Sequence, residues 1–309
     1  MGDPAGIGPA IIRKAIKKLQ GLTNFVIIGD KWVFDKTINS QLQTPNYRFI
    51  DLDNVSHKDF EFGKVRAEYG RAAVEYLDKA IALIKNKEID CLVTCPVSKE
   101  AINLAGFDGF LGHTEYLAAA LDTEFFAMML LNKKLRFSLV TRHIPLKEVS
   151  VQLEPDKIYK TILLTHQSLK ELFLIKNPRI VVCGLNPHAS DNGLLGEEEN
   201  KIIKPVLMRL RENIRNIDGP LPADVAVLKA TQKKYDCIIA MYHDQALIPL
   251  KILGAYTGVN LTLGLRFIRT SPLHGTAFDI ATKFNSANPL SLIEAIRLAV
   301  ICTLNQKKD

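Results

Sequence analysis

Short runs of β-branched and apolar residues alternate along the chain with longer segments whose apolar positions recur at helical spacing. That order predicts parallel βα units and an α/β fold. The apolar runs predict strands over 24–29, 89–94, 125–131, 135–141, 179–183 and 236–241. Val65, Tyr69, Ala72, Ala73, Tyr76, Leu77, Ala80, Ile81 and Ile84 predict a helix over 64–87, ending in basic residues as a helix C-terminus prefers. Further helices are expected over 156–173, over 197–213 and over 290–304, with a short one starting from the N-cap Ser98. No repeat, low-complexity tract or Gly/Ser linker marks a boundary. Two domains follow from the 309 residues and from the number of βα units.

The chain opens on a glycine-rich loop, Met1-Gly-Asp-Pro-Ala-Gly-Ile-Gly-Pro9, entering a helix with Pro9 in its first turn. Loops of this kind normally follow a strand, and the sequence shows none before it. Its glycines do not fit Gly-x-Gly-x-x-Gly, and no P-loop or Gly-x-Ser-x-Gly elbow occurs, so a Rossmann nucleotide site and acyl transfer are disfavoured. Charge and composition narrow the class further. The net charge of +7 comes from lysines scattered over helix faces, the pattern of a solvated surface and not of a nucleic-acid footprint. The longest apolar runs fall well short of the ~20 residues of a membrane span. Five cysteines without a Cys-x-x-Cys pair, four of them in apolar strand-like runs, suit buried reduced thiols. The expectation is a soluble, cytoplasmic protein that binds neither nucleic acid nor membrane.

Three predicted strands run into histidine: 135–143 ends at His143, 179–188 reaches His188, and 236–243 ends at His243. Ligands of open parallel sheets sit beyond the carboxyl ends of strands. One such histidine alone reads as a strand cap bonded to a carbonyl. Three at equivalent places point to a shared divalent metal site with positions left for substrate. Asp244, next to His243, is a candidate to orient it or to carry a proton. His57 and His166 lie in a polar loop and within a helix. A second group is basic and polar: His113 and Thr114 at a helix entrance behind Gly112, then Lys251, Asn260, Arg269 with Thr270 and Ser271, and His274-Gly-Thr276. Helix N-termini favour anions, and lysine and arginine beside hydroxyls suit a phosphate monoester or a carboxylate, although surface salt bridging would use the same residues.

Taken in order, Gly2–Pro9, Gly112-His-Thr-Glu115, Gly184-Leu-Asn-Pro-His-Ala189, Gly219-Pro-Leu-Pro-Ala-Asp224, Met241-Tyr-His-Asp-Gln245, Phe267-Ile-Arg-Thr-Ser271 and His274-Gly-Thr-Ala277 resemble the 4-hydroxythreonine-4-phosphate dehydrogenase family of pyridoxal phosphate biosynthesis over nearly the whole chain. The resemblance implies two α/β/α domains flanking a cleft, as in isocitrate and isopropylmalate dehydrogenases: residues 1–107 with 273–309, and residues 108–272 carrying most metal and substrate residues. It implies oxidation of 4-phosphooxy-L-threonine by NAD or NADP with one divalent metal ion (zinc, magnesium or cobalt), followed by loss of carbon dioxide. By the same match His143, His188 and His243 are metal ligands, and His113, Thr114, Lys251, Asn260 and Arg269 bind substrate. Asp244 and Lys251 are the catalytic candidates, and no cofactor-contacting residue is assigned. The family is homodimeric, with one metal histidine supplied by the partner chain, so the three strand ends would not meet within a single chain. The chain departs from the family at Arg266 (usually proline), Ala246 (usually glycine) and Pro272-Leu273 (where an aspartate commonly adjoins the histidine). A dehydrogenase for 4-phosphothreonate, which lacks the amine, fits the same motifs. A metal-dependent hydrolase or lyase is the reading from another class.

Overall fold

The computed structural model describes residues 1–37 and 47–308, and the chain packs into two compact units. The first comprises Met1–Thr123 and Leu265–Thr303, the second Glu124–Gly264 and Leu304–Asp309. Residues 108–123 and 265–272 pack with the first unit and 304–309 with the second, opposite to the sequence boundaries; for 265–272 the reason is the pairing described below, which sets Ile268–Thr270 beside the strand at Cys91–Val93.

The first unit begins with helix α1 (Gly8–Lys18), strand β1 (Phe25–Gly29), the short helix α2 (Lys31–Asp35) and strand β2 (Tyr47–Asp51), which pairs in parallel with β1. Helix α3 (Ala67–Lys85) realises the predicted helical spacing: Tyr69, Ala72, Ala73, Tyr76, Leu77, Ala80 and Ile81 are all buried. Tyr69, Ala72, Tyr76 and Ala80 pack with Ile27, Ile28, Phe34 and Val55 in one apolar cluster. A buried carboxylate ties that cluster together, since Asp30 at the end of β1 accepts the Tyr76 hydroxyl and, at 3.0 Å, the Val55 N–H. Strand β3 (Cys91–Val93) leads to α4 (Lys99–Leu104), capped by Ser98 Oγ, which accepts the Ala101 N–H at 3.1 Å. Helix α5 (His113–Ala120) follows, with Gly112 as its N-cap and no side chain closing its first turn.

The second unit opens on a hairpin of β4 (Ala127–Leu131) and β5 (Arg136–Leu139). Its turn is held by Asn132 Oδ1, which accepts the N–H groups of Lys134 and Leu135 at 2.8 and 3.0 Å. Helix α6 (Pro155–Glu171) and strand β6 (Ile180–Cys183) match the sequence reading. The helix expected over 197–213 is instead a π-helical turn, Glu199–Ile203, running into α7 (Lys204–Arg211). Strand β7 (Ile217–Leu221), helix α8 (Ala223–Thr231), strand β8 (Cys237–Ala240), helix α9 (His243–Gly254) and strand β9 (Val259–Leu263) complete the unit. The strand order is β9-β4-β5-β8-β6-β7, and β4 runs antiparallel to both of its neighbours. The sheet is therefore mixed, not purely parallel. Every residue of β4, β6, β8 and β9 is buried, which explains continuous apolar runs in place of alternation.

The chain returns to the first unit through β10 (Ile268–Pro272), parallel to β3 with Arg269 opposite Leu92, and through α10 (Leu290–Gln306). All five cysteines are free thiols, and burial pushes the Cys95, Cys183 and Cys237 thiols up to between about 11 and about 12. No helix among the described residues is long and apolar enough to cross a membrane.

Candidate active-site residues in the two units

Arg269 is the centre of the first unit's polar group. It lies on β10, is 2% exposed, and donates from Nη2 to Thr94 Oγ1 at 2.6 Å and from Nη1 to Thr114 Oγ1 at 3.3 Å. Burial lowers its pKa to about 10, with Glu115 opposing the shift, so the guanidinium stays cationic at neutral pH. His113 is the first residue of α5, and Thr114 is the buried second. Burial, then the positive charges of Arg269 and Lys99, hold the His113 imidazole well below its ordinary pKa and keep it neutral at pH 7. A fixed guanidinium, a neutral imidazole and a hydroxyl at a helix N-terminus can receive a phosphate or carboxylate.

The glycine-rich loop packs onto the same neighbourhood. Asp3 N–H donates to the Pro96 carbonyl at 2.9 Å, and Ile7 N–H donates to the Thr276 carbonyl at 3.0 Å. A Cβ on Gly2 would stand 2.4 Å from the Pro96 oxygen, so the close approach itself requires glycine there. Asp3 was not singled out from the sequence, yet it is fully buried. Its Oδ1 accepts the Ala5 N–H at 2.9 Å, its Oδ2 has no hydrogen-bond partner, and burial raises its carboxyl to about 7. Its position in a short glycine loop was the one available signal. His274 bonds through Nδ1 to the Gly275 carbonyl at 3.0 Å, and its Nε2 is buried without a partner.

In the second unit the parallel neighbours β5 and β8 deliver His143 and His243, whose ring centroids lie 5.6 Å apart with the planes at 50°. His243 is not the end of a strand but the first residue of α9. Its Nδ1 lies 3.0 Å from Asp244 Oδ1. His188 does not join them: among the described residues no three of His, Cys, Asp and Glu form a group able to hold a metal ion. The structure brings His143 and His243 side by side and does not bring His188 to them. His188 is exposed and opens a run of five residues, His188–Asn192, in left-handed backbone with φ between 44° and 68°. Each non-glycine residue in that conformation costs about 1–2 kcal/mol, so the surroundings must impose it. Asn260 is buried on β9 with its Oδ1 unpartnered, and Lys251 is exposed on α9 two turns beyond His243.

Two adjacent imidazoles, one steered by a carboxylate, suit a divalent ion as part of a ligand set that needs further donors. An α/β chain with a buried guanidinium beside hydroxyls at a helix N-terminus fits the class of enzymes acting on phosphorylated substrates. Comparison with known proteins makes the class specific. Residues 13–299 match the family of the pyridoxal phosphate biosynthetic protein PdxA, and the chain belongs to that family. It is 43% identical over 97% of its length to the 4-hydroxythreonine-4-phosphate dehydrogenase of Sulfurihydrogenibium sp., of which the match covers 96%. It is equally 43% identical, over 96% of its length and 94% of the relative, to the D-threonate 4-phosphate dehydrogenase of Cupriavidus necator. The crystal structure of the Klebsiella pneumoniae 4-hydroxythreonine-4-phosphate dehydrogenase superposes with a TM-score of 0.84 at 35% identity, covering 99% of this chain and 96% of that one. The protein is an α/β dehydrogenase, an activity that takes a nicotinamide cofactor.

Proposed function

We propose that the protein oxidises the secondary alcohol of 4-phosphooxy-L-threonine with NAD or NADP. The product, 2-amino-3-oxo-4-phosphooxybutanoate, then loses carbon dioxide to give 3-amino-2-oxopropyl phosphate. The observation that carries this reading is the 43% identity to a named 4-hydroxythreonine-4-phosphate dehydrogenase over essentially both whole chains. The five free thiols among the described residues favour the cytoplasm as its compartment.

Arg269, pinned between two threonine hydroxyls, and Lys251 supply the cationic contacts to phosphate and carboxylate. His113, held neutral, donates a hydrogen bond to the anion without adding charge, with Thr114 beside it, and Asn260 is the polar contact assigned in the second unit. Binding energy gathered at the phosphate, remote from the reacting carbon, goes into orienting that carbon. His143, His243 and His188 would hold a divalent ion (zinc, magnesium or cobalt), with His188 coming from the second chain of a homodimer. When bound, that ion supplies Lewis acidity toward the substrate hydroxyl and toward the carbonyl it becomes. The nicotinamide supplies the hydride acceptor. Asp244 holds His243 by its Nδ1, and Asp244 and Lys251 are the groups assigned to proton movement at the hydroxyl.

The second reading, D-threonate 4-phosphate as substrate, is favoured by the equal identity to the Cupriavidus necator enzyme. Absorbance at 340 nm, followed with each substrate, each nucleotide and added divalent metal, decides between them. The expected result is metal-dependent reduction with 4-phosphooxy-L-threonine. Preference for D-threonate 4-phosphate would move the assignment to the second reading. Turnover without nicotinamide would overturn both in favour of hydrolase or lyase chemistry.

A further inference from the structure

We infer that Glu199 is a positioning residue for His188, acting through Asn186 to hold the left-handed turn that presents the imidazole. The inference rests on the assignment of His188 as a metal ligand, made above.

Glu199 is the first residue of the π-helical turn and is fully buried, a costly place for a carboxylate unless its oxygens are bonded. Both are spent on one neighbour: Oε1 accepts the Asn186 N–H at 2.7 Å, and Oε2 accepts Asn186 Nδ2–H at 3.0 Å. Glu198 Oε2 accepts the same amide group at 2.8 Å. Asn186 thereby fixes the chain two residues before His188, and its own carbonyl accepts the Ala189 N–H at 3.1 Å, closing the first step of the left-handed run. Behind it, a Cβ on Gly184 would lie 2.9 Å from both Ala189 Cα and Glu199 Oε1, so turn and carboxylate are packed against the same point of the backbone. π-Bulges concentrate at functional sites because one extra residue re-aims the side chains around it. Here the bulge turns a glutamate inward under the loop that carries His188.

The same backbone point is tied to the other histidine. Gln245, two residues after His243, donates Nε2–H to the Gly184 carbonyl at 2.9 Å and accepts the Met241 N–H at 2.8 Å. The loops after β6 and β8 are therefore braced as one piece. Five consecutive left-handed residues with no built-in preference for that conformation, save the asparagine and aspartate among them, persist only while this bracing is complete. Removing the carboxylate leaves the Asn186 N–H without its acceptor and the side-chain amide held by Glu198 alone, and the run relaxes toward right-handed backbone with His188 displaced.

The test uses the full-length chain and Co²⁺ alone, whose visible absorption reports imidazole ligation without any turnover. Glu199→Ala and His188→Ala are each expected to weaken Co²⁺ binding, Glu199→Ala by about 10- to 100-fold as for other residues that orient a ligand. The double variant should bind no more weakly than His188→Ala alone. Should Glu199→Ala not fold, judged by its thermal transition, Glu199→Gln, which keeps one acceptor oxygen, and Asn186→Ala carry the same comparison. Wild-type Co²⁺ affinity in the Glu199 variants beside a weakened His188→Ala overturns this inference alone. Additive losses in the double variant also overturn it, because they signal general damage. Unchanged affinity in His188→Ala overturns the metal assignment and this inference together.

Discussion

Arg269 Nη2 sits 2.6 Å from Thr94 Oγ1, a charge-assisted hydrogen bond between β10 and the residue that follows β3. The bond fixes a buried cation by one edge of its planar fork, while a second edge reaches Thr114. Lysine has one point charge and no fork. Arg269→Lys is expected to remain folded and to lose one charge-assisted contact to the anion of the phosphorylated substrate, about 1.5–3 kcal/mol, which amounts to roughly a 10- to 100-fold rise in KM. Steady-state kinetics beside a thermal melt check it. An unchanged KM would remove Arg269 from the binding contacts.

The imidazoles of His143 and His243, 5.6 Å apart, are expected to act as one ligand pair. His143→Ala and His243→Ala should each abolish metal-dependent turnover, whereas Asp244→Asn, which keeps an oxygen near His243 Nδ1 and loses the charge, should cost about 10- to 100-fold in metal affinity. Treatment of the wild type with a chelator should stop turnover, and added divalent metal should restore it. Metal titration of the three variants is the measurement; full metal affinity in His243→Ala would refute the pairing.

Asp3 gives a pH dependence with a definite sign. Its carboxyl is raised from 3.8 to about 7 by burial, so between those values the folded chain keeps a proton that the unfolded chain has lost. Stability from this group is full below pH ~4 and is lost as pH rises to about 7, with an upper bound of about 4 kcal/mol for a shift of about three pH units. Asp3→Asn removes that loss, so its advantage over wild type should grow from pH 4.5 to 8 in urea unfolding. A constant difference across that range would show that Asp3 does not titrate in this way.

Gly70 lies in α3 where it meets α4, and a Cβ there would stand 2.1 Å from the Ala101 carbonyl oxygen. The obstacle is backbone, which cannot rotate away as a side chain can. Gly70→Ala should therefore destabilise the chain by about 3 kcal/mol or more despite alanine's better helix propensity. A rise in melting temperature would mean that the two helices separate at little cost.

Much of the fold was legible because it is written in local periodicity. The α3 spacing and the runs at β4, β6 and β8 bury most of the residues that the pattern singled out, with Val65, Ile84, Phe125 and Phe126 half-buried. The Ser98 cap was legible for the same reason, since it is a contact between residues close in sequence. Elements with polar or mixed composition escaped notice. Strand β7 reads Ile-Asp-Gly-Pro-Leu and is only partly buried, and β10 buries Arg269, Thr270 and Ser271, the first two bonded to partners distant in sequence. The π-helical turn at Glu199 was invisible too, because its apolar spacing continues into α7 as an ordinary helix would.

By itself the sequence determined the α/β class, the family, and the residue types able to hold a metal and an anion, because each of these is carried by ordered local motifs. Tertiary structure alone decided that His143 and His243 meet while His188 stands apart on a left-handed turn. It also decided that Asp3 is buried near the middle of its titration range, and that Glu199 braces Asn186. The physical reason is common to all three. Ring distance, desolvation and the bonding of a buried carboxylate depend on which loops the sheet brings side by side, and no spacing along the chain encodes that proximity.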